Sequence, residues 1–451
     1  MILDGASKIG ILGFGREGLS VYDFLLRDYS DLEIHVFDKR ELAEFPDDIR
    51  ADWQANGVVL HLGEGYLEDL EAVDLLVKSP GVNPRQPEIV RFLGLGGRYT
   101  TATNLFFERV SAKVIGITGS KGKSTTSTLI YEALLAVDKQ AFLVGNIGEP
   151  ILNYLEFDSP EVYFVVEMSS QQLEDFEGRV DYALFTSFFA DHMDYHGGME
   201  AYVSAKVNLF KNAKLTLFNG DDHVVSQILK EHGILARAVQ KYGLSFVSSA
   251  QLHNSLEQDF GCAINLNGLP FLNFEEVKLK GHHNMKNMML VTALFLELGL
   301  DQHILQQVFY KFNGLAHRMQ VLDGVDKVVV NDSASVTPES SMACLEAYEN
   351  YDQRVIVLGG MDRGYDYTIL NQVLTERDVV VIMPNLHSKV VEQVSVCPVR
   401  EVLDLKDAVD VAWQICGIDG VILFSPGAPS YNVFKNFYQR GDAFVDLISN
   451  L

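Results

Sequence analysis

At 451 residues, 47% of them hydrophobic and 22% charged, the chain is long enough for about three domains of ordinary globular composition. At its formal net charge of −25 a nucleic-acid-binding surface is not expected, a local basic patch aside, and no segment approaches the ~18–20 continuous apolar residues of a membrane span. The opening Met1-Ile2-Leu3-Asp4-Gly5 lacks the basic and long apolar regions of a secretory leader, and the four cysteines (Cys262, Cys344, Cys397, Cys416) form no C-x-x-C pair, so buried thiols in a reducing cytoplasm are expected.

The first predicted strand is Lys8-Ile9-Gly10-Ile11-Leu12. Gly13-Phe14-Gly15-Arg16-Glu17-Gly18 follows, and then Leu19, Tyr22, Leu25 and Leu26 recur at helical spacing. A second strand, Glu33 to Phe37, ends in Asp38, twenty residues past Gly18. This is a dinucleotide-type fingerprint, with glycines for the turn and an acid for a ribose hydroxyl. Alone it suggests a dehydrogenase, but any phosphate-bearing nucleotide can sit on such a loop. The next strand, Asp74 to Val77, ends at Ser79-Pro80-Gly81. Those residues are either a ligand loop at the carboxyl end of a parallel strand or a plain turn.

The short apolar run Val114-Ile115 leads into Gly116-Ile117-Thr118-Gly119-Ser120-Lys121-Gly122-Lys123-Ser124-Thr125-Thr126, which opens a helical pattern through Leu135. Strand, glycine-rich loop and helix make a phosphate cradle: freed amides and the helix N-terminus face an anion. Lys123 suits the β- and γ-phosphates, and the Ser124 hydroxyl suits magnesium. Five residues, not four, separate Gly116 from Gly122, so the strict spacing is broken and a simple turn before a helix is the alternative. Val162 to Val166 reads as a strand buried on both faces and ends in Glu167. Glu167 is either a magnesium ligand beside the cradle or a surface acid at a strand end. A strand at Ala183 to Thr186 runs into Asp191-His192-Met193-Asp194-Tyr195-His196, and a helical stretch then carries Tyr202 and Lys206.

From about residue 210 to 280 the pattern is one of short strands and turns: Leu215 to Phe218, Asn219 to Asp222, and Cys262 to Gly268. Gly281-His282-His283-Asn284-Met285-Lys286-Asn287 precedes a long apolar helix from Met288 to Leu298. The last stretch is another α/β unit, with strands at Lys327–Val330, Val355–Leu358, Val379–Ile382 and Val421–Phe424. Three strand ends there are polar or glycine-rich: Asn331-Asp332-Ser333, Gly359-Gly360-Met361-Asp362-Arg363 and Ser425-Pro426-Gly427-Ala428. Together they point to a binding edge.

The blocks Gly116–Thr126, Gly145-Asn146-Ile147-Gly148, Glu167-Met168-Ser169-Ser170-Gln171-Gln172-Leu173, Asp191–Asp194, His283–Asn287, His317-Arg318 and Asn331–Ser333 occur in one order along the chain. In that order the chain resembles the Mur ligases, the ATP-dependent amide-forming enzymes of peptidoglycan precursor synthesis. The amino-terminal fingerprint with Asp38, and the tail Ser425 to Gly441, resemble the glutamate-adding branch. The resemblance replaces the dehydrogenase reading. It implies an α/β protein of three domains: 1–109, Rossmann-like, for the UDP-sugar; 110–314, a P-loop ATPase domain with a parallel sheet; and 315–451, Rossmann-like, for glutamate.

The implied reaction is phosphorylation by ATP of the alanyl carboxylate of UDP-N-acetylmuramoyl-L-alanine, followed by attack of the glutamate amine on the acyl phosphate. The first domain's Gly13, Phe14, Gly15, Arg16, Glu17, Asp38, Lys39, Arg40, Ser79, Pro80 and Gly81, with Ser169 and Gln172, are expected on the UDP-sugar. Gly119, Ser120, Lys121, Gly122, Lys123, Ser124, Thr125, His283, Asn284, Asn287, Arg318 and Asp332 are expected on ATP. Lys123, Asn146, Glu167, His192 and Lys206 form the implied catalytic set, with two magnesium ions expected, one on Ser124 and Glu167 and one on His192 and Lys206. The family's lysine at that position is carbamylated. An unmodified ammonium has no lone pair to give a metal, and without the resemblance His192 reads as a capped surface residue and Lys206 as a solvated helix lysine. Arg363, Ser430 and Phe437 are expected on glutamate, and two-domain substrate delivery implies closure on binding.

The chain departs from the family pattern at the glutamate end. Ala334 stands where a lysine usually follows Asn-Asp-Ser, Val336 precedes Thr337, and Ser187 and Lys121 stand where asparagine is common. D-glutamate is the first reading of the added amino acid. L-glutamate remains open because of Ala334, as does a sibling ligase such as a folylpolyglutamate synthase, which lacks the amino-terminal nucleotide-type domain. Lys121 is a possible substitute for the missing lysine. The expected protein is a cytoplasmic monomer with no nucleic-acid or membrane partner.

Overall fold

Short apolar strands alternating with helices need cover on both faces of a parallel sheet, because such strands have no polar face to give to water. This computed structural model describes residues 2–29, 31–247, 263–273, 276–430 and 433–451. Its first sheet joins β1 (Lys8–Leu12), β2 (Glu33–Asp38), β3 (Val59–Leu62), β4 (Leu75–Lys78) and β5 (Tyr99–Thr100). All pairs are parallel, in the order β3-β2-β1-β4-β5. The order reverses between β1 and β4, so their carboxyl ends open a crevice, and helix α1 (Arg16–Asp28) starts there.

The second sheet contains β6 (Lys113–Thr118), β7 (Ala141–Gly145), β8 (Tyr163–Glu167), β9 (Val180–Phe185), β10 (Ala213–Phe218) and β11 (Ala236–Ala238). It too is all parallel, in the order β11-β10-β9-β6-β8-β7. The central β6 runs directly into the glycine-rich loop and helix α2 (Lys123–Ala136), and helix α3 (Met199–Lys211) precedes β10. One apolar cluster runs through both sheets. Phe106 of the short helix Ala102–Phe107 meets Phe164 of β8 edge-on, ring centroids 5.0 Å apart. Burying such a ring contributes about 1.5–3 kcal/mol, and the two sheets share the benefit.

A small antiparallel sheet follows, β12 (Leu244–Val247), β13 (Ala263–Leu266) and β14 (Leu269–Asn273). The β13–β14 hairpin turns on Asn267 and Gly268, both with positive φ (54° and 79°), the pair a tight hairpin of this hand requires. Helix α4 (His282–Leu298) comes next. The last sheet is β15 (Gln320–Val321), β16 (Val328–Asn331), β17 (Gln353–Leu358), β18 (Val379–Ile382), β19 (Val399–Glu401) and β20 (Gly420–Phe424). Its order is β15-β16-β20-β17-β18-β19, parallel except for β15. Helix α5 (Phe437–Ser449) closes the chain.

The chain divides into two compact units, Met1–Tyr242 with Leu290–Gln302, and Gly243–Met289 with His303–Leu451. The first holds both large parallel sheets up to β11, and the second holds β12 to β20. Among the described residues no helix is long and apolar enough to cross a membrane. The expected strands are all present within a few residues, apart from Cys262, which lies outside the described residues.

Three expectations are corrected. The stretch read as strands and turns after residue 210 also contains a helix, His223–Glu231, whose N-cap Asp222 accepts from the Val225 amide at 3.0 Å. Its β-branched Val224, Val225 and Ile228 disguise the helical period. The helix read as starting at Met288 begins six residues earlier, at His282, because the polar His283-Asn284 pair is part of its first turn. Cys344 and Cys416 are buried free thiols, but Cys397 is only half-buried.

In the second unit Arg354 and Asp378 form a buried pair, with Arg354 Nη2 to Asp378 Oδ2 2.6 Å and Arg354 Nε to Oδ1 3.0 Å. Burial pushes the Asp378 carboxyl up, but the Arg354 guanidinium and the Thr375 amide more than offset it and hold it low. Asp378→Ala strands a buried guanidinium, so chemical denaturation of that variant is expected to show a loss of about 3–5 kcal/mol.

Candidate functional site

The carboxyl ends of β1 and β4 and the start of α1 line a cavity of about 690 Å³. Gly13, Gly15, Arg16, Glu17, Asp38, Lys39, Arg40, Ser79, Pro80, Gly81 and Gln172 of the expected set all reach it. The glycines are needed for different reasons. Gly13 has φ +86°, a left-handed conformation, and a Cβ at Gly18 would lie 2.3 Å from the Gly13 carbonyl. The 13-residue α1 therefore points its free N-terminal amides at the cavity, as an anion site requires. Ser79 Oγ donates to Gly13 O at 2.7 Å, so the Ser-Pro-Gly segment buttresses the loop instead of merely reversing the chain.

Asp38 is placed differently from the ribose role its position suggests. Its carboxylate accepts from the Phe14 amide at 2.7 Å, the Arg40 amide at 3.0 Å, and Arg40 Nε and Nη2, both at 2.9 Å. Burial raises its proton affinity, but these bonds more than offset that and hold it as a carboxylate. It fixes the loop and aims Arg40. Phe14 itself is buried among Tyr22, Phe45 and Trp53, with the Trp53 ring centroid 4.8 Å away. Glu17 Oε1 accepts from Gln172 Nε2 at 2.7 Å, and its Oε2 is buried with no partner among the described residues. Burial pushes its carboxyl up.

A second cavity, of about 550 Å³, adjoins the first. Gly119, Ser120, Lys123, Ser169, Ser170, Asp191, His192, Tyr202 and Lys206 are among its lining residues, and Pro80, Gly81 and Asn146 line both cavities. Gly119 has φ +156°, and a Cβ there would sit 2.0 Å from Thr186 Oγ1, so no side chain fits at that turn. Gly122 (φ 86°) is the N-cap of α2, whose first-turn amides at Lys123, Ser124 and Thr125 have no acceptor within the helix. Lys123 Nζ lies over the loop carbonyls of Gly119 (3.0 Å) and Ser120 (3.2 Å).

Ser120 and Lys121 of the expected ATP set also make bonds within the protein. The Ser120 amide donates to Ser187 O at 2.8 Å, and its hydroxyl pairs with Phe189 O (2.8 Å) and Tyr202 OH (3.0 Å). The Lys121 amide donates to Ser187 Oγ at 3.0 Å, and its side chain is exposed with Nζ 5.8 Å from the Phe189 ring centroid. These bonds clamp the loop in its curved shape.

Glu167 is not a surface acid. It is 1% exposed, and its Oε1 accepts from Asn146 Nδ2 at 2.6 Å. Its Oε2 is buried with no partner among the described residues. A buried carboxylate oxygen without a donor is what a cation ligand leaves behind, so the residues present fit a divalent ion. Lys206 is not solvated either. It is 2% exposed, donates to Gly119 O at 2.8 Å and lies 4.8 Å from the Tyr202 ring centroid. Burial, and then the charge of Lys123, push its amine down to about 7. His192 is half exposed and stands in a left-handed conformation, φ 53°, with Asp191 Oδ2 at 3.6 Å. Sequence reasoning noted Tyr202 but gave it no role; it buttresses both Ser120 and Lys206, and its place one turn before Lys206 on α3 was the available signal.

The second unit holds the other expected residues. Asn284 and Asn287 are buried at the start of α4, with Asn284 Nδ2 on Lys280 O at 2.7 Å, and His283 is exposed. Arg318 is exposed, 5.7 Å from the Phe437 ring centroid. Asp332 is buried, and both its oxygens are engaged, by the Met319 amide (3.1 Å) and by the Ser425 (2.9 Å) and Ser335 hydroxyls. Burial pushes its carboxyl up to about 6. Arg363 is exposed with no ion-pair partner among the described residues, Ser430 is buried, and Phe437 is the first residue of α5, where its amide has no helical acceptor.

Residues 7–98 match the N-terminal domain model of Mur ligases of the MurD-like type, and residues 117–295 match the Mur ligase middle domain. The UDP-N-acetylmuramoyl-L-alanine–L-glutamate ligase of a Micromonospora species is 32% identical over 98% of this chain and 96% of its own length. The chain belongs to the Mur ligase family. The UDP-N-acetylmuramoylalanine–D-glutamate ligase of a Geobacillus species is 33% identical over 84% of each chain. The L-glutamate ligase of Salinispora tropica is 33% identical over 98% of this chain and 97% of its own. Among solved structures, the UDP-N-acetylmuramate–alanine ligase of Thermotoga maritima superposes with TM-score 0.58 at 21% identity, covering 98% of this chain and 99% of that one. The MurF ligase of the same organism, solved with ADP, gives 0.59 at 13% identity, covering 98% and 94%. These two likenesses extend the three-domain α/β Mur ligase fold to the whole chain.

Proposed function

We propose that this Mur ligase is an ATP-dependent enzyme that joins glutamate to the alanyl carboxylate of UDP-N-acetylmuramoyl-L-alanine in peptidoglycan precursor synthesis, with D-glutamate as the first reading. The observation that carries it is the junction of the two cavities at Pro80, Gly81 and Asn146. A UDP-sugar anchored on α1 would extend its acyl end past these residues toward Lys123, which serves the phosphates. In this reading the three domains are 1–109, 110–314 and 315–451, and the enzyme is a cytoplasmic monomer.

A carboxylate resists amine attack because oxide is a poor leaving group. Transfer of the γ-phosphoryl group makes the leaving group phosphate, and the glutamate amine then displaces it, giving ADP, phosphate and the amide. The protein's part is alignment and charge neutralisation. Lys123 and the first-turn amides of α2 hold the phosphates, while Asn146 and Ser169 orient the carboxylate. His283, Asn284, Asn287, Arg318 and Asp332 serve the rest of ATP, and Arg363, Ser430 and Phe437 hold glutamate. Magnesium held by Ser124 and Glu167, and by His192 with Lys206 as its carbamate, would spread the phosphate charge. A neutral Lys206 amine supports that carbamate, since it can add carbon dioxide and release one proton.

L-glutamate is the second reading. Ala334, in place of the family's lysine, and full-length relatives that use L-glutamate favour it. The deciding measurement is phosphate release from ATP with the UDP-sugar, offering D-glutamate, L-glutamate, lysine and diaminopimelate separately. Release with one glutamate enantiomer is expected, at least tenfold over the other. Release with neither sinks the proposal.

A further inference from the structure

The turn that carries His192 is pinned from two sides. His196, buried at its end, has Nε2 2.9 Å from Ser170 Oγ, which ties the turn to the short helix Ser170–Leu173 after β8. On the other side the turn meets the loop after β4. Tyr195 OH donates to Pro80 O at 3.2 Å and Val82 O at 3.4 Å. Asn83 Nδ2 and Arg85 Nη1 both donate to Tyr195 O, at 3.3 and 3.2 Å, and the Arg85 guanidinium carbon lies 5.8 Å from the Tyr195 ring centroid. Arg85 Nη2 also pairs with Glu174, and Asn83 Oδ1 accepts from Arg85 in return.

We propose that Tyr195 and Arg85 are positioning residues: they lock the rim that Pro80 and Gly81 give to both cavities against the turn that holds His192. This inference rests on the ligase reading above.

The physical case has three parts. His192 sits in a left-handed conformation that a non-glycine residue adopts only when its neighbours hold it there. The bonds that do so on the Tyr195 side go to the loop bordering the UDP-sugar cavity. A shift of that rim therefore moves the His192 turn, and misplacement of reacting groups by about 1 Å costs on the order of 100-fold in rate. Neither Tyr195 OH nor Arg85 has to touch the γ-phosphate or the carboxylate for this to hold. Their contribution is to the geometry reached after both substrates bind. It belongs to kcat.

The test uses the full-length protein and the phosphate-release assay. Tyr195→Phe, which removes one hydroxyl, and Arg85→Met, which keeps the stem without the donors, are each expected to lower kcat about tenfold. KM for ATP and for the UDP-sugar is expected to stay within about twofold, and the thermal midpoint within about 2 °C. Arg85→Lys, which restores one donor and the charge, is expected to recover part of the loss. Wild-type kcat in both Tyr195→Phe and Arg85→Met overturns the proposal while leaving the ligase reading intact. A raised KM for the UDP-sugar at unchanged kcat also overturns it, because that assigns the pair to binding. A fall in kcat that tracks a fall in thermal midpoint overturns it too. Failure of the wild-type protein to release phosphate with any glutamate is the separate result that removes the ligase reading.

Discussion

Lys123→Ala is expected to lower substrate-dependent phosphate release by on the order of 10²–10³-fold, the cost of removing one preorganised donor to developing phosphate charge. The fold is expected to survive. Lys123 Nζ donates to its own loop, at Gly119 O and Ser120 O, and alanine is a good residue for the first turn of α2. The loop's shape is kept by other bonds, chiefly Thr186 Oγ1 to Lys121 O at 2.6 Å and Ser120 N to Ser187 O at 2.8 Å. Thermal unfolding should therefore move by no more than about 2 °C. Near-wild-type turnover in this variant would remove Lys123 from the chemistry.

Lys206→Met is expected to be as damaging to activity, by about 10²-fold or more, and it carries a second signature in stability. The folded amine titrates at about 7 against 10.5 unfolded. Between those values the unfolded chain holds the proton and the folded chain does not, so this lysine makes wild-type stability rise with pH by about 1.4 kcal/mol per unit. Below about pH 7 both states are protonated and the penalty is constant; above pH 10.5 it is gone. The methionine variant lacks this slope. The stability difference between the two proteins, read by denaturant unfolding from pH 6 to 10, should be flat at first and then change steadily in favour of wild type. A difference that does not vary with pH would show that the lysine is not a buried amine. Equilibration with ¹³C-bicarbonate should give a carbamate carbon resonance in wild type that is absent in Lys206→Met.

Much of this was legible in the chain. The apolar runs ending at Leu12, Glu167 and Phe424 read as strands, and the structure makes them strands and buries them. The glycines of both nucleotide loops were legible because positive φ and close approach are local demands, met within a few residues of the turn. The helix at His223–Glu231 was missed because its β-branched residues mimic a strand, and only packing of its Val225, Ile228 and Leu229 decides the matter.

The sequence by itself determined the order of the α/β units, the two nucleotide loops and the family, since these depend on periodicity, turn chemistry and blocks read along the chain. The tertiary structure alone decided how the polar residues are used. It engaged Asp38 and Ser120 in bonds that support their loops, left one Glu167 oxygen without a donor, and buried the Lys206 amine. It also made one rim of Pro80, Gly81 and Asn146 serve two cavities. The bonds responsible join residues far apart in the chain, 132 positions for Arg16 to Gly148 and 115 for Tyr195 to Pro80. A hydrogen bond's energy depends on a few tenths of an ångström and on what else competes for the same atom. No local pattern encodes that competition, and it is settled only when the two parallel sheets of the first unit pack into one core.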